Sequence, residues 1–210
     1  MSEGIFAMRS VDGGPMQMTT RERLLHAAID LFATRGYSRT SVGHIQSAAG
    51  LTAGSGALYK HYASKEELLD AVIDYYVSLI RDSMEDTSNY SGDPFADLEA
   101  AATALMTGLA ENRNLVRVLF RELDEGSGLD RLWEAIDENV FQRFADIIRL
   151  GMRDMKLRDV DADAIATLLV SAIAYFPTVR DLIGKTAREY EGQHQLRLWN
   201  ELARRMLQLE

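Results

Sequence analysis

The stretch LFATRGYSRTSVGHIQSAAGLTAGSGALYKHYASKEELLDAV, residues 31–72, places two short amphipathic segments on either side of a glycine-bearing turn. Thr40 or Ser41 can cap the first segment as a helix, and Gly50 suits the left-handed residue at its end. A second small helix is predicted around Leu58. Two short helices joined by such a turn form a helix-turn-helix, whose second helix can enter the major groove of DNA. Spacing alone leaves another interpretation open, a small helical subdomain that closes a bundle.

Helix signals continue on both sides of this stretch. Thr19 or Thr20 can cap a preceding helix that ends before Gly36, and Ser64 with Glu67 forms a capping box that begins a longer helix. Apolar residues recur at helical spacing almost everywhere after position 20, and the chain has only three prolines. Further helices are predicted over residues 95–110, 112–122, 129–153, 161–183 and 190–208. The sequence therefore predicts an all-α fold.

Length and composition are those of an ordinary globular chain. Its 210 residues are 47% hydrophobic, enough to bury a core, and without cysteine it can form no disulfide. The cytoplasm, a reducing compartment, fits this composition. The N-terminus lacks the pattern of a signal peptide, and no stretch is expected to reach the roughly 18 apolar residues of a membrane helix. Gly13, Gly14 and Pro15 predict that residues 1–18 form a flexible arm.

Charge is divided unevenly along the chain. The net charge of −9 argues against nucleic-acid binding by the molecule as a whole. Residues 1–65, however, carry seven Lys and Arg against four Asp and Glu, whereas residues 66–210 carry sixteen against twenty-eight. Because phosphate repels an acidic body, any nucleic-acid surface is expected in the first third of the chain. A helical adaptor that binds only protein partners would leave this asymmetry unexplained.

Specific residues of the opening stretch match a known family in order and in register. They are Phe32-Ala33, Gly36-Tyr37, Thr40-Ser41-Val42, Ile45, Ala49-Gly50, Leu58-Tyr59, Tyr62 and Ser64-Lys65-Glu66-Glu67-Leu68. The pattern resembles the N-terminal DNA-binding domain of the TetR family of transcriptional regulators. In that family about five residues usually separate the Ala-Gly pair from the Leu-Tyr pair, whereas seven do so here, residues 51–57. The turn, or the start of the recognition helix, therefore holds two extra residues.

The resemblance implies a three-helix DNA-binding domain over residues 19–65, and physical chemistry supports roles for its polar side chains. Donors suited to phosphate oxygens are those of Thr40, Ser41, Tyr59 and Lys65. Base reading is expected at the front of the recognition helix, from Thr52, Ser55, Gly56, Ala57, Lys60 and His61. The alternatives are that Thr52 only caps a helix and that Lys60 and His61 are solvated surface.

The resemblance further implies that residues 66–210 form a larger helical domain that dimerises and encloses an effector pocket. Candidate pocket residues are Met106, Phe120, Trp133, Phe141, Phe144, Ile148, Tyr175 and Phe176. Pro177 is expected to kink its helix beside them, because it removes the amide that would serve the carbonyl of Ile173. Two apolar stripes are expected to pack against a second copy through Leu168, Ala172, Leu196, Trp199, Leu202 and Met206. For both sets, packing within one chain is the alternative.

Together these features predict a DNA-binding transcriptional regulator, most simply a repressor. A homodimer would place its recognition helices in successive major grooves of a quasi-palindromic operator. A small hydrophobic effector would release it by changing the separation of the two DNA-binding heads. The alternative is a helical small-molecule-binding protein or enzyme without a DNA-binding role.

Support for an enzyme is slight. The chain has four scattered His, no Cys and none of the usual nucleophile or nucleotide-binding motifs. Asp159, Asp161 and Asp163 alternate as in a calcium loop but lack its glycine and its final glutamate, and they are interpreted as a carboxylate-rich helix start. No metal, cofactor or membrane partner is therefore expected.

Overall fold

The computed structural model describes residues 18–85, 90–122, 127–184 and 192–209. In chain order the helices are α1 Thr20–Arg35, α2 Val42–Ala48, a 3₁₀ turn Leu58–Lys60, α3 Lys65–Glu85, α4 Pro94–Glu111, α5 Arg113–Glu122, α6 Ser127–Ile136, a π-helical segment Asp137–Phe141, α7 Gln142–Arg153, α8 Ala162–Ile183 and α9 Gly192–Leu207. No strand occurs within these ranges, and the all-α prediction is confirmed. Apart from Met18, the predicted arm lies outside the described residues.

The chain divides into two compact units, Met1–Leu68 and Leu69–Glu210. The N-terminal unit holds α1, α2 and the 3₁₀ turn, and the C-terminal unit holds α4 to α9. The helix α3 begins in the first unit and runs without a break into the second. The sequence placed the domain boundary after residue 65, near the start of this helix.

Local signals set the two ends of α1. The Thr19 hydroxyl accepts a hydrogen bond from the Glu22 amide, and the Glu22 carboxylate accepts one from the Thr19 amide at 2.7 Å, which completes a capping box. At the other end, Gly36 adopts a φ of 86° and its amide donates to the carbonyl of Phe32 at 2.9 Å. The predicted start and end of this helix are therefore confirmed.

The segment expected to form the second helix of the helix-turn-helix differs from the prediction. It contains a single 3₁₀ turn, in which the Tyr59 amide donates to Gly56 and the His61 amide to Leu58. Gly54 and Gly56 have φ values of 75° and 68°, which a right-handed helix does not admit. The helix therefore cannot extend backwards through the glycines, and the helical residues are limited to Leu58–Lys60.

The predicted long helix over residues 129–153 is likewise interrupted. The chain is helical from Ser127 to Arg153, but Asp137–Phe141 widens into a π-helical segment. There the Asn139 side-chain amide donates to the carbonyl of Ala135 at 2.8 Å, a carbonyl that an α-helix would pair with the Asn139 backbone amide. This side chain therefore competes with the regular hydrogen bond where the helix widens.

The helix α8 is the core helix of the C-terminal unit. It packs against α4, α5, α7 and α9, and its Leu169 and Ile173 are fully buried. The expectation that no stretch is apolar enough to cross a membrane is wrong for α8, because residues 162–180 are long and apolar enough by length and composition. The core helix of a soluble protein passes the same test, and 33% of this window is buried inside the structure.

The start of α8 confirms the interpretation of its carboxylates. The Asp161 side chain caps the helix by accepting a hydrogen bond from the Ala164 amide at 3.1 Å. Asp163, in the first turn, forms an ion pair with Arg149. Within the described residues no group of His, Asp and Glu is arranged to hold a metal ion.

Candidate nucleic-acid interface and effector cavity

The start of α2 presents Ser41 to solvent. Its Oγ accepts from the His44 amide at 3.2 Å, and the His44 Nδ1 accepts from the Ser41 amide at 3.3 Å. Capping uses only the acceptor side of the Ser41 hydroxyl, so its hydrogen remains available to an acceptor outside the helix. Ser41 therefore has the exposure and the free donor that a phosphate contact requires.

Thr40, by contrast, is buried, with 1% of its surface exposed. Its hydroxyl donates to the carbonyl of Gly36 at 2.8 Å and thereby closes the loop between α1 and α2. A hydroxyl has only one hydrogen to donate. The expectation that Thr40 offers this hydrogen to a phosphate is therefore contradicted by its place in the unit.

Lys65 is also used inside the N-terminal unit. Its Nζ donates to the carbonyls of Tyr37 and Thr40, both at 3.1 Å, and lies 3.9 Å from the centroid of the Tyr37 ring. These contacts tie the start of α3 to the loop between α1 and α2, a structural role that the sequence did not predict. Lys65 is partly exposed, so its positive charge can still attract a phosphate beside these contacts. The phosphate contact itself stays a prediction.

The lengthened turn between α2 and the 3₁₀ turn depends on glycine. Gly50 ends α2 with a φ of 73°, and Gly54 and Gly56 also have positive φ values. A Cβ built on Gly54 or Gly56 would meet no atom within 4 Å. Backbone conformation, and not packing, therefore requires glycine at these two positions, and the surface beside them is open to another molecule.

Gln46, which the sequence pattern did not single out, holds this turn. It is 1% exposed, and its Nε2 donates to the Ser55 Oγ at 2.9 Å and to the Thr52 carbonyl at 3.4 Å. A signal for it was present in the sequence. Gln46 lies four residues after Val42, on the side of α2 that was expected to face the core, where a polar side chain needs a partner.

The candidate reading residues and the phosphate candidate Tyr59 lie in the segment from Thr52 to His61, in which Leu58 is buried. Four of them are exposed: Thr52, Ser55, Tyr59 and Lys60. Three are partly exposed: Gly56, Ala57 and His61. The ammonium of Lys60 has no ion-pair partner in the part of the chain that the structure describes. Tyr62, one residue beyond the segment, is buried as expected, and its hydroxyl donates to the carbonyl of Arg21 at 3.2 Å.

Two ionisable groups near this segment have shifted pKa values. The backbone amide of Glu66 and the Ser64 hydroxyl donate to the Glu66 carboxylate and hold its pKa below the ordinary value. Burial raises the pKa of Tyr62, whose ring lies 5.0 Å from the Arg21 guanidinium. Glu66, in the first turn of α3, therefore carries its negative charge at neutral pH, and it follows the basic segment along the chain.

The C-terminal unit contains a small apolar cavity of about 30 Å³. Its lining residues are Tyr76, Leu79, Ile80, Leu105, Gly108, Leu109, Asn112 and Val140. Such a volume accommodates one or two waters, whereas pockets for small ligands measure about 300–1,000 Å³. None of the eight candidate pocket residues lines it.

Those eight residues lie in different surroundings. Phe144 and Ile148 are fully buried in the core, where the Phe144 ring meets the Trp199 ring edge-on with centroids 6.0 Å apart. Phe120, Trp133 and Tyr175 are exposed, and Met106, Phe141 and Phe176 are partly buried. Their aromatic and apolar character made them candidates, but the rotation of each helix about its axis turns them to different sides.

Apolar side chains remain exposed where α8 and α9 meet solvent. They include Leu168, Tyr175, Leu198 and Leu202. A groove of about 290 Å³ lies between the two helices, lined by Ala172, Phe176, Gln195, Leu198, Trp199 and Leu202. Among the predicted interface residues, Leu168 and Leu202 are exposed, Ala172, Leu196 and Met206 are partly buried, and Trp199 is buried in its own unit.

Known proteins share this sequence and fold. Residues 24–72 match the family model for bacterial regulatory proteins of the tetR family. The chain is 30% identical over 152 residues to the HTH-type transcriptional repressor KstR2 of Mycobacterium tuberculosis, an alignment covering 69% of this chain and 73% of that repressor.

Solved structures extend the similarity to most of the chain. A TetR transcriptional regulator from Chloroflexus aurantiacus superposes with a TM-score of 0.73 at 22% identity, covering 91% of this chain and 97% of that one. A protein from Saccharomonospora viridis in complex with choline superposes with a TM-score of 0.74 at 24% identity, covering 90% and 98%. The fold and the N-terminal segment define a helix-turn-helix transcriptional regulator. The chain belongs to the TetR family.

Proposed function

We propose that the protein is a ligand-responsive transcriptional repressor that binds a quasi-palindromic operator in double-stranded DNA as a homodimer in the cytoplasm. The exposed donor segment Thr52–His61 carries the proposal, because it belongs to the positively charged third of a chain that is otherwise acidic. Its relative KstR2 is named as a repressor, which favours repression over activation.

Two kinds of contact to DNA are proposed. Ser41, Tyr59 and Lys65 hold phosphates and position the unit, and Thr40 supports them from inside through its bond to Gly36. Base edges are read by the exposed segment, from Thr52, Ser55, Gly56, Ala57, Lys60 and His61. Because only one 3₁₀ turn is present, backbone and short side chains of the turn contribute more to reading than in a longer recognition helix.

Dimerisation is proposed through α8 and α9. Leu168 and Leu202 are 56% and 42% exposed, and the groove between the helices is lined mainly by apolar side chains. Exposed apolar side chains of this density mark an interaction surface, and a two-fold arrangement would cover the same surface on both copies. Two DNA-binding units per assembly would then match the two halves of a palindrome.

A hydrophobic effector is proposed to bind at the cavity beside Tyr76. Aliphatic side chains dominate its lining, with Asn112 as a polar group and no carboxylate, so a cation such as the choline bound by the Saccharomonospora protein is not favoured. The cavity must expand to admit such a molecule, and the expanded conformation would bind DNA less tightly. A coupling of about 1–3 kcal/mol between the two sites changes DNA affinity by roughly 5 to 150 fold.

Selection from a random pool of DNA duplexes tests the proposal directly. The full chain should enrich a palindromic sequence, and its affinity for that duplex should fall steeply with salt. Lys60→Gln should weaken binding, with a salt slope reduced by about one if Lys60 holds a phosphate, or with a lost base preference if it reads a base. Arg205→Gln, which changes the charge equally on exposed α9, is the matched control.

Two results would count against DNA binding. One is the failure of the wild-type protein to enrich any sequence at low salt. The other is an equal loss of affinity in Lys60→Gln and Arg205→Gln, since that would reflect net charge and not a localised surface. Either result would favour a small-molecule-binding protein without a DNA-binding role.

A further inference from the structure

We propose that Gln46 is a positioning residue that fixes the turn Thr52–Ala57 in the conformation that reads DNA. The inference rests on the proposed DNA-binding function and concerns a side chain that is buried and so makes no contact with DNA itself. Gln46 acts through the two residues of the turn that it binds, Thr52 and Ser55.

The orientation of the Gln46 amide is determined by its partners. A backbone carbonyl can only accept, so the group facing the Thr52 oxygen at 3.4 Å is the NH₂ and not the amide oxygen. The second hydrogen of that NH₂ points to the Ser55 Oγ at 2.9 Å. One side chain therefore holds the first residue of the turn and a residue three positions later.

Ser55 is placed in turn by two donors. Its Oγ accepts from Gln46 and from the Ala57 amide at 3.4 Å. Both acceptor positions of the oxygen are then occupied, and the hydroxyl hydrogen must donate to something else. Ser55 is exposed, so this hydrogen is directed to solvent or to an acceptor on DNA. Gln46 thus makes Ser55 a donor of defined direction.

Besides Gln46, a backbone hydrogen bond from the Ser55 amide to the Thr52 carbonyl at 3.2 Å restrains the turn. Its glycines, Gly54 and Gly56, have open space where a side chain would lie. Within the described residues, the side-chain hydrogen bonds that reach Thr52–Ala57 from outside the turn come from Gln46. If the turn is already ordered in the free protein, DNA binding does not have to supply the free energy of ordering it. Pre-organisation therefore raises the affinity for the DNA sequence that fits the turn.

The hydrogen bonds of Gln46 lie within the lengthened turn. The turn is two residues longer than the usual family spacing, and both partners of Gln46 lie within the seven residues 51–57. Extra residues would ordinarily loosen a connection. A buried amide that bonds across the extension offsets this loosening.

The duplex enriched by the wild-type protein provides the probe. Gln46→Met keeps the length of the side chain and removes its donors, and we expect it to weaken binding to this duplex about tenfold, as for the loss of one to two hydrogen bonds. Binding to a scrambled duplex at the same salt and the melting temperature should stay near wild type. Ser47→Ala, an exposed neighbour on α2, is the control and should bind both duplexes as wild type does.

Ser55→Ala and the double variant test the route. If Gln46 acts through Ser55, Gln46→Met should have less than half its effect, in log affinity, when Ser55 is already alanine. If the two substitutions instead reduce the affinity by independent factors that multiply in the double variant, Gln46 does not act through Ser55. An equal loss on both duplexes together with a lower melting temperature would also overturn it, since that describes a general loss of folding.

Failure of the inference differs from failure of DNA binding. If wild type enriches a sequence and Gln46→Met binds it equally well, the positioning role is wrong and DNA binding stands. If wild type enriches no sequence, the proposed function is wrong, and the role of Gln46 in reading DNA is wrong as well. Amide hydrogen exchange at Ser55 and Ala57, which should quicken in Gln46→Met, still reports in that case whether Gln46 holds the turn.

Discussion

Gln195 donates its side-chain amide to the carbonyl of Ile173 at 2.9 Å, the carbonyl that Pro177 leaves without a helical donor. One turn further along α9, the Trp199 Nε1 donates to the carbonyl of Leu169 at 2.8 Å. Both bonds are buried and join α9 to α8. The carbonyl that was expected to be freed at a kink is thus paired, and α8 runs as one helix from Ala162 to Ile183.

Removing the Gln195 amide should therefore destabilise the C-terminal unit. Gln195→Met leaves the Ile173 carbonyl buried without its donor, and we expect a loss of about 1–3 kcal/mol in the free energy of unfolding by urea. In a Pro177→Ala background the alanine amide can serve that carbonyl, so the loss should shrink by at least about 1 kcal/mol.

Gln193→Met, on the exposed side of α9, is the matched control and should change stability by less than about 0.5 kcal/mol. All variants are to be compared at one protein concentration, because dimerisation stabilises the folded state. Strictly additive effects of Gln195→Met and Pro177→Ala would show that the two residues do not share the Ile173 carbonyl.

The features predicted from sequence were those that depend on neighbouring residues. Thr19 and Ser41, each one of two candidate caps, cap α1 and α2, and Asp161 caps α8 within the carboxylate-rich start that was expected, because a cap involves residues two or three positions apart. The contacts of Gln46 with Ser55 and of Gln195 with Ile173 were not predicted. They join separate elements, and their pairing depends on how each helix is rotated and aligned against its neighbour.

Two errors have distinct physical causes. A small recognition helix was predicted around Leu58 from the local pattern, but the positive φ values of Gly54 and Gly56 prevent it from starting earlier, and one 3₁₀ turn, Leu58–Lys60, is present. The pocket was predicted from residue type, yet Trp133 and Phe144, both aromatic, differ completely in exposure. Composition indicates that a side chain is suited to a cavity, whereas its position around the helix decides whether it faces one.

Two helical glycines should respond oppositely to alanine. A Cβ on Gly151 of α7 would lie 2.6 Å from a methyl carbon of Leu157 and 3.1 Å from Pro94, whereas one on Gly108 of α4 would meet nothing within 4 Å. Gly151→Ala should lower the free energy of unfolding by about 1–3 kcal/mol through overpacking. Gly108→Ala should raise it by about 0.5–1 kcal/mol, since alanine favours a helix. Urea unfolding of both variants measures these changes in the free energy of unfolding. Changes of the same sign in the two variants would contradict the prediction.

Alkaline pH should destabilise the C-terminal unit through Tyr76. Burial raises the pKa of its phenol from 10.0 to about 12, so the folded state holds the proton more tightly than the unfolded chain. This contribution is fully present below pH 10 and is lost as the pH rises toward the folded value. The free energy of unfolding should fall by about 2–3 kcal/mol over that range.

Tyr76→Phe removes the ionisable group. In this variant the free energy of unfolding, measured with urea between pH 9 and 12, should fall less steeply with pH than in wild type. Tyr90→Phe removes an exposed hydroxyl from the same unit and serves as the control. An unchanged fall in Tyr76→Phe would assign it to other groups. A flattened fall in both variants would show that burial is not the cause.

A charge on the exposed surface of α8 and α9 should dissociate the proposed dimer. Leu202 is 42% exposed beside the groove between these helices, and Leu202→Glu would introduce two like charges into an apolar contact between copies. Such a change costs several kcal/mol. The dissociation constant of the dimer, measured by sedimentation equilibrium, should therefore rise by at least about 100-fold. The affinity for the full palindrome should then fall toward the affinity for a half-site.

Met155→Glu is the control. Met155 is 82% exposed in the turn after α7, so this variant adds the same charge elsewhere and should leave the association of the two copies unchanged. If Leu202→Glu stays dimeric while Met155→Glu dissociates, the copies meet near the end of α7 and not through α8 and α9.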